Sequence, residues 1–243
     1  LLHPDVALQE RPFDLAPGFP VADLDSPAFA ARMADRARRA GMPLDAFVDL
    51  VRAVWARRPE VQGWIEDVAA RARAAGAPML SHDDTQAATR GWFRALGATI
   101  CEFPMNRRTA VFARDGGDAI VLGAPNAARG GSHLGSVGAA DMIRDGLCDI
   151  LASDYFYPAV LSAVARLHAD GVAPLHALWP LVAANPARAL NLHDRGTIAP
   201  GLRADLVLID WPEGDVPVVR QTRVRGVRTY AAAAACPAAA TAP

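Results

Sequence analysis

Apolar side chains recur along this chain in two rhythms. Between Ser26-Pro27 and Gly76 they fall three or four residues apart: Phe29, Met33 and Ala37, then Leu44, Phe47, Val48, Val51, Val54 and Trp55, then Val61, Ile65, Val68 and Ala72. That period gives each segment one apolar stripe, as in an amphipathic helix. Ser26 with Pro27 starts the first helix and Gly41 stops it; Pro43 opens the second; the third runs from about Pro59 to Ala75, with Gly76 beyond its end.

The rhythm then shortens. Compact apolar runs at 78–81, 98–103, 118–123 and 148–152 alternate with helical stretches over about 85–96, 106–114, 136–145, 158–169 and 174–183. Short buried strands alternating with helices predict parallel βαβ units. About four in succession fit half of a (β/α)8 barrel or a small doubly wound sheet. After Asn185-Pro186 a short helix leads to Gly196 and Gly201, followed by strands at 205–210, 216–224 and 227–230, with Arg225-Gly226 as a hairpin turn. The expected organisation is an irregular segment at 1–25, a helical and βα region at 26–184, a helix and β appendage at 185–230, and a low-complexity, disordered tail at 231–243.

Composition narrows the classes. The chain has 243 residues, 52% hydrophobic and 21% charged, enough to bury a sizeable core. A formal net charge of −1 speaks against non-specific nucleic-acid binding. The basic residues are arginines, with no lysine. Three cysteines, Cys101, Cys148 and Cys236, lack framework or zinc-finger spacing and fit a reducing cytoplasm. No leader pattern and no bilayer-length apolar run is evident, so no membrane partner is expected.

The polar residues that stand out cluster at the C-terminal ends of the expected strands, the end where parallel β/α proteins build their sites. His82, Asp83 and Asp84 follow the first strand, Glu102 ends the second, Asn126, Arg129, Ser132 and His133 follow the third, and Asp154 and Tyr155 follow the fourth. His with carboxylates suits zinc, manganese or related cations. Asp154, directly after an apolar strand, either caps the following helix or binds a cation. GAPNAARGGSH at 123–133 reads as a glycine loop; Gly130 and Gly131 let backbone amides approach an anion, and Arg129 can fork onto its oxygens. It is not a Walker motif, having no lysine after the glycines.

The segment NPARALNLHDRGTIAPGLRADLVLID at 185–210 resembles the C-terminal signature of the amidohydrolase superfamily. More narrowly, SHDDT, EFP at 102–104, GAPNAARGGSH, SDYFYP at 153–158 and RGVRTY resemble the diphosphatases of the carbon–phosphorus lyase pathway. The resemblance implies the C-terminal half of a TIM-type barrel with a small β-sandwich-like appendage. It also implies a divalent metal (Zn, Mn or Fe) and hydrolysis of α-D-ribose 1-methylphosphonate 5-triphosphate to the 5-phosphate and pyrophosphate. By motif position His82 and Asp154 would be metal ligands, with Asp154 also the catalytic base. Asn126, Arg129, Gly130, Gly131, Ser132 and His133 would hold phosphate or phosphonate oxygens. Asp83, Asp84, Glu102 and Tyr155 are weaker candidates for supporting contacts.

The pattern also departs from the family. No His-x-His or His-x-Asp motif stands near the start, so the expected barrel lacks its first half, the metal site is incomplete and the metal need not be retained. Unpaired parallel edges would call for a second copy or a partner carrying the missing half. Two other readings remain: a non-catalytic module that binds anions or partners, and an amidohydrolase acting on C–N bonds.

Overall fold

The computed structural model describes residues 27–130, 138–212, 215–232. The irregular segment expected at 1–25, residues Gly131, Ser132 and His133, and all but the first two residues of the expected tail lie outside them. The chain divides into two compact units, one reaching Val121 and the other starting at Leu122.

The N-terminal unit begins with three helices, α1 (Pro27–Arg39), α2 (Leu44–Ala56) and α3 (Arg58–Ala74). Phe29, Met33 and Val48 are buried together, with Phe47 and Val51 packed against them. The third stripe is rotated relative to the sequence expectation. Val68, read as inward, is exposed, and Ala69 is fully buried with Met79, Phe93 and Ala98. Ile65, Ala69 and Ala72 form an i, i+4, i+7 row, and the small Ala69 lets α3 lie close to the βα layer. Leu44 and Val54 are likewise exposed rather than inward.

The βα layer follows as β1 (Leu80–His82), α4 (Ala87–Ala95), β2 (Ile100–Glu102), α5 (Arg107–Asp115) and β3 (Ala119–Gly123). β1, β2 and β3 pair in parallel, with Ser81 beside Cys101 and Cys101 beside Ile120, and with His82 beside Glu102 and Glu102 beside Val121. Because side chains alternate along a strand, Ser81, Cys101 and Ile120 form one row and His82, Glu102 and Val121 the next.

The two βα units share a frame offset by 20 positions: Thr89 and Thr109, Arg94 and Arg114, Gly97 and Gly117, Ile100 and Ile120. Each strand is followed at once by a non-glycine residue in the left-handed region, Asp83 at φ 57° and Phe103 at φ 52°. Asn106 caps α5 by accepting from the Thr109 amide at 2.9 Å, and its side-chain amide donates to the Thr85 carbonyl at 2.7 Å, tying the two loops together.

The C-terminal unit carries α6 (Ala124–Arg129), α7 (Ala139–Arg144), β4 (Ile150–Ala152), α8 (Ala159–Ala169), α9 (Leu175–Leu178), a 3-10 turn at Trp179–Val182 and α10 (Ala184–Ala189). Sheet order is β1-β2-β3-β4. A separate antiparallel sheet holds β5 (Leu206–Asp210), β6 (Val218–Val224) and β7 (Val227–Ala231). Arg225 and Gly226 both have positive φ, 52° and 79°, as the expected two-residue hairpin turn requires. Asp205 braces that hairpin: its carboxylate accepts from the Arg225 amide at 2.9 Å and from Arg203 at 2.8 Å, and these bonds hold it below the usual carboxylate range.

The first half of GAPNAARGGSH is not an open glycine loop. Ala124–Arg129 is a helix, with Pro125 in its first turn and Gly130 closing it at φ 78°. Proline at a helix start and a left-handed glycine after its end are mutually consistent signals, and here they outweigh glycine content.

Candidate functional site

In the N-terminal unit the site is built by register. His82 and Glu102 are the last residues of adjacent parallel strands and Cα partners, so their side chains leave the sheet together. His82 Nε2 lies 3.9 Å from Glu102 Oε2, and Nδ1 lies 3.0 Å from Asp83 Oδ2. The Phe103 ring meets the imidazole edge-on, with centroids 5.2 Å apart and planes at 78°. The turn that creates this arrangement is the left-handed pair Asp83 and Phe103, whose amides donate to Glu102 O at 3.0 Å and Val121 O at 2.9 Å. Each strand thus hands one hydrogen bond to its neighbour past its own end. A non-glycine left-handed residue costs roughly 1–2 kcal/mol, so these turns are held by their surroundings.

Asp84 supports the strand end from below and does not face outward with His82. It is fully buried beneath it, where Ser81 Oγ donates to Asp84 Oδ2 at 2.5 Å and Arg90 Nη1 lies 3.3 Å away. Burial pushes the Asp84 carboxyl up, and the Ser81 hydrogen bond and the Arg90 charge pull it partly back. Arg90, also fully buried, donates to Ser81 Oγ, to the Ala98 carbonyl and to the Ile100 carbonyl, and its Nε lies 3.1 Å from Asp118 Oδ2. Arg94 grips Asp118 from the other side, at 2.6–3.0 Å, which raises the Arg94 guanidinium above its ordinary value.

Arg90 went unnoticed in the sequence. The sequence carries one signal for it: in the 20-residue frame the positions of Asp84 and Arg90 are taken by the uncharged Pro104 and Ala110, whereas Arg94 recurs as Arg114.

Cys101 sits in the same buried layer. Burial, reinforced by the Asp84 carboxylate, raises its thiol far above the normal range. Folded protein at pH 8 should therefore leave Cys101 unmodified by iodoacetamide, while denatured protein is alkylated there. Peptide mass spectrometry checks this, and rapid alkylation of native Cys101 would contradict the burial.

In the C-terminal unit Asp154 follows β4 at φ 50°, a third left-handed residue just past a strand end, and its side chain is exposed. Asn126 and Arg129 lie on α6. Arg129 Nε donates to Pro125 O at 3.1 Å and Nη2 to the Tyr155 hydroxyl at 2.8 Å, so one phenol and one carbonyl aim the guanidinium. Tyr155, Phe156 and Tyr157 are all exposed.

A cavity of about 870 Å³ in this unit is lined by Trp179, Pro180, Val182, Leu206 and Leu208 among others. None of the residues selected from sequence lines it, so the candidate chemistry and this cavity do not coincide.

Divalent metal is what the family pattern leads one to expect. Among the described residues no group of three or more His, Cys, Asp or Glu side chains is placed to hold one. A catalytic zinc site takes three protein donors on one centre, with water in the fourth position. Asp83 and Glu102 instead face opposite nitrogens of the His82 ring and do not converge on one point, so the described residues do not fit a metal by themselves.

No described helix is long and apolar enough to cross a membrane.

Comparison with known proteins places this architecture. The profile of the amidohydrolase family matches residues 4–230. The α-D-ribose 1-methylphosphonate 5-triphosphate diphosphatase of Escherichia coli K12 is 44% identical over 145 residues, covering 59% of this chain and 38% of that protein. An adenine deaminase of Brucella suis is 52% identical over 46 residues, covering 19% of this chain and 8% of that protein. Among solved structures, an amidohydrolase from Thermotoga maritima MSB8 superposes with a TM-score of 0.51 at 22% identity, over 64% of this chain and 44% of that one. The chain thus spans less than half the length of these relatives.

Proposed function

The chain belongs to the amidohydrolase family, and from that premise we propose that it is the strand-end portion of a hydrolase acting on a phosphorylated ribose phosphonate. The reaction would split α-D-ribose 1-methylphosphonate 5-triphosphate into the 5-phosphate and pyrophosphate, and the four parallel strands would form half of a (β/α)8 barrel. Similarity to the E. coli diphosphatase supports the substrate class. The observation that carries the site is the in-register pair at the ends of β1 and β2, a nitrogen base and a carboxylate within 3.9 Å of each other. Both can touch one substrate oxygen, at the end of a parallel sheet where ligands bind.

The described residues do not complete a metal site, and the roles that follow belong to their own side chains. His82 with Glu102 holds and passes a proton at the reacting oxygen. Arg129, aimed by Tyr155 and the Pro125 carbonyl, binds anionic oxygens of phosphate or phosphonate through its fork. Asp154, on an exposed left-handed turn after β4, supplies a further carboxylate for the proton taken from attacking water.

The test is pyrophosphate release from the ribose triphosphate by the purified chain. Turnover is expected, and it should disappear in His82→Ala. Arg129→Ala should weaken substrate binding about tenfold, the cost of one charge-assisted hydrogen bond. Absence of pyrophosphate, with hydrolysis of a cyclic amide instead, would assign the site to C–N chemistry.

A further inference from the structure

We propose that Arg90 is a positioning residue for His82: through Asp84, Ser81 and the start of β2 it sets the turn that brings the imidazole beside Glu102 and against Phe103. This rests on the reading of His82 as a functional side chain, and the structural part of it stands without that reading.

Three observations carry it. First, Arg90 touches the chain on both sides of His82. Ser81 precedes His82 in β1 and Asp84 ends its turn; Arg90 donates to Ser81 Oγ and to Asp84 Oδ2, and Ser81 donates to the same carboxylate oxygen. Residues 81 and 84 are clamped, and the two between them carry the imidazole and the left-handed Asp83. Second, the same guanidinium holds the carbonyls of Ala98 and Ile100 at the start of β2, the strand that presents Glu102. One rigid planar group therefore references both halves of the pair to a common point.

Third, the fold does not require an ion pair at this place. In the second βα unit the corresponding positions hold Pro104 and Ala110, both buried, and that unit forms its strand, left-handed turn and helix in the same frame. A buried ion pair is a poor source of stability compared with apolar side chains of suitable shape. Its presence under the turn that bears the histidine, and its absence under the turn that bears Phe103, point to geometry rather than stability as its contribution. Asp118 does not depend on Arg90 alone, because Arg94 engages it with three hydrogen bonds.

The experiment compares the wild-type chain with Asp84→Asn/Arg90→Met, which removes both charges and keeps similar volumes, and with Arg90→Lys, which keeps the charge but loses the fork. The readout is the imidazole of His82 in proton NMR: its ring-current displacement by Phe103 and its nuclear Overhauser contacts to that ring, which the 5.2 Å edge-on geometry should produce. With native far-UV circular dichroism retained, the double variant should lose the ring contacts and move the His82 protons toward free-histidine positions. Arg90→Lys should restore less than half of the wild-type displacement.

A folded double variant with unchanged His82 contacts would overturn the proposal. So would a double variant that loses its far-UV signal altogether, since the pair would then be a requirement for folding. No substrate enters this measurement. A chain that releases no pyrophosphate refutes the diphosphatase reading and leaves the NMR result to decide the role of Arg90.

Discussion

Arg90→Met alone is expected to destabilise the N-terminal unit severely. The substitution strands Asp84 in a fully buried site, with Ser81 and the Cys101 thiol as its remaining hydrogen-bonding partners, and it releases the Ala98 and Ile100 carbonyls. Removing one partner of a buried pair costs about 3–5 kcal/mol. A domain holds only about 5–15 kcal/mol in total, so this is a large share of its stability. Urea titration followed by circular dichroism should show a midpoint far below that of wild type. The Asp84→Asn/Arg90→Met chain should recover much of the loss, because no charge is then left uncompensated. A single variant as stable as wild type would mean that water or another cation reaches Asp84. The direction also follows from the Asp84 carboxyl itself. Burial raises it, so protonating Asp84 at low pH should lessen the defect of Arg90→Met, whereas raising the pH should deepen it.

Gly196→Ala is expected to damage the C-terminal unit for a different reason. Gly196 has φ 96°, and a Cβ there would stand 2.7 Å from the Ala187 Cβ, 3.1 Å from the Ala183 carbonyl oxygen and 3.2 Å from the Ala184 Cα. Two of those neighbours are backbone atoms of the segment around α10 and cannot swing aside. The left-handed conformation adds roughly 1–2 kcal/mol and forced overpacking roughly 1–3 kcal/mol. Thermal denaturation should shift downward by roughly 2–4 °C for each kcal/mol. Gly201→Ala is the control: φ there is 84°, but the added methyl meets open space, so only the conformational part remains. Equal shifts for the two variants would show that contact with α10 is unimportant.

These two sites mark where local sequence signals end. Gly196 and Gly201 look alike in the sequence, each a glycine in the segment between α10 and β5. Only the packing of α10 against one of them makes it far less replaceable. Arg90 looks like one more arginine on a helix, indistinguishable by periodicity from Arg94. What separates them is that Arg90 is sealed beneath β1 and β2 while Arg94 remains partly exposed.

The sequence by itself determined the alternation of strand and helix, the polar residues at strand ends, the Arg225-Gly226 hairpin and the family. Each of these depends on neighbours within a few residues: side-chain period, turn chemistry, and motifs read in order. It also suggested that His82 and Glu102 matter, but not that they are partners. That was decided by register, since a one-residue slip between β1 and β2 would have turned one of the two to the other face. The helical state of Ala124–Arg129, the exposure of Val68, and the burial of Asp84 against Ser81 and Arg90 were likewise decided in three dimensions. The physical reason is common to all of them. Burial and ion pairing join residues distant along the chain, such as Arg90 with Asp118, and no local pattern of hydrophobic and polar positions encodes which distant charge will face which.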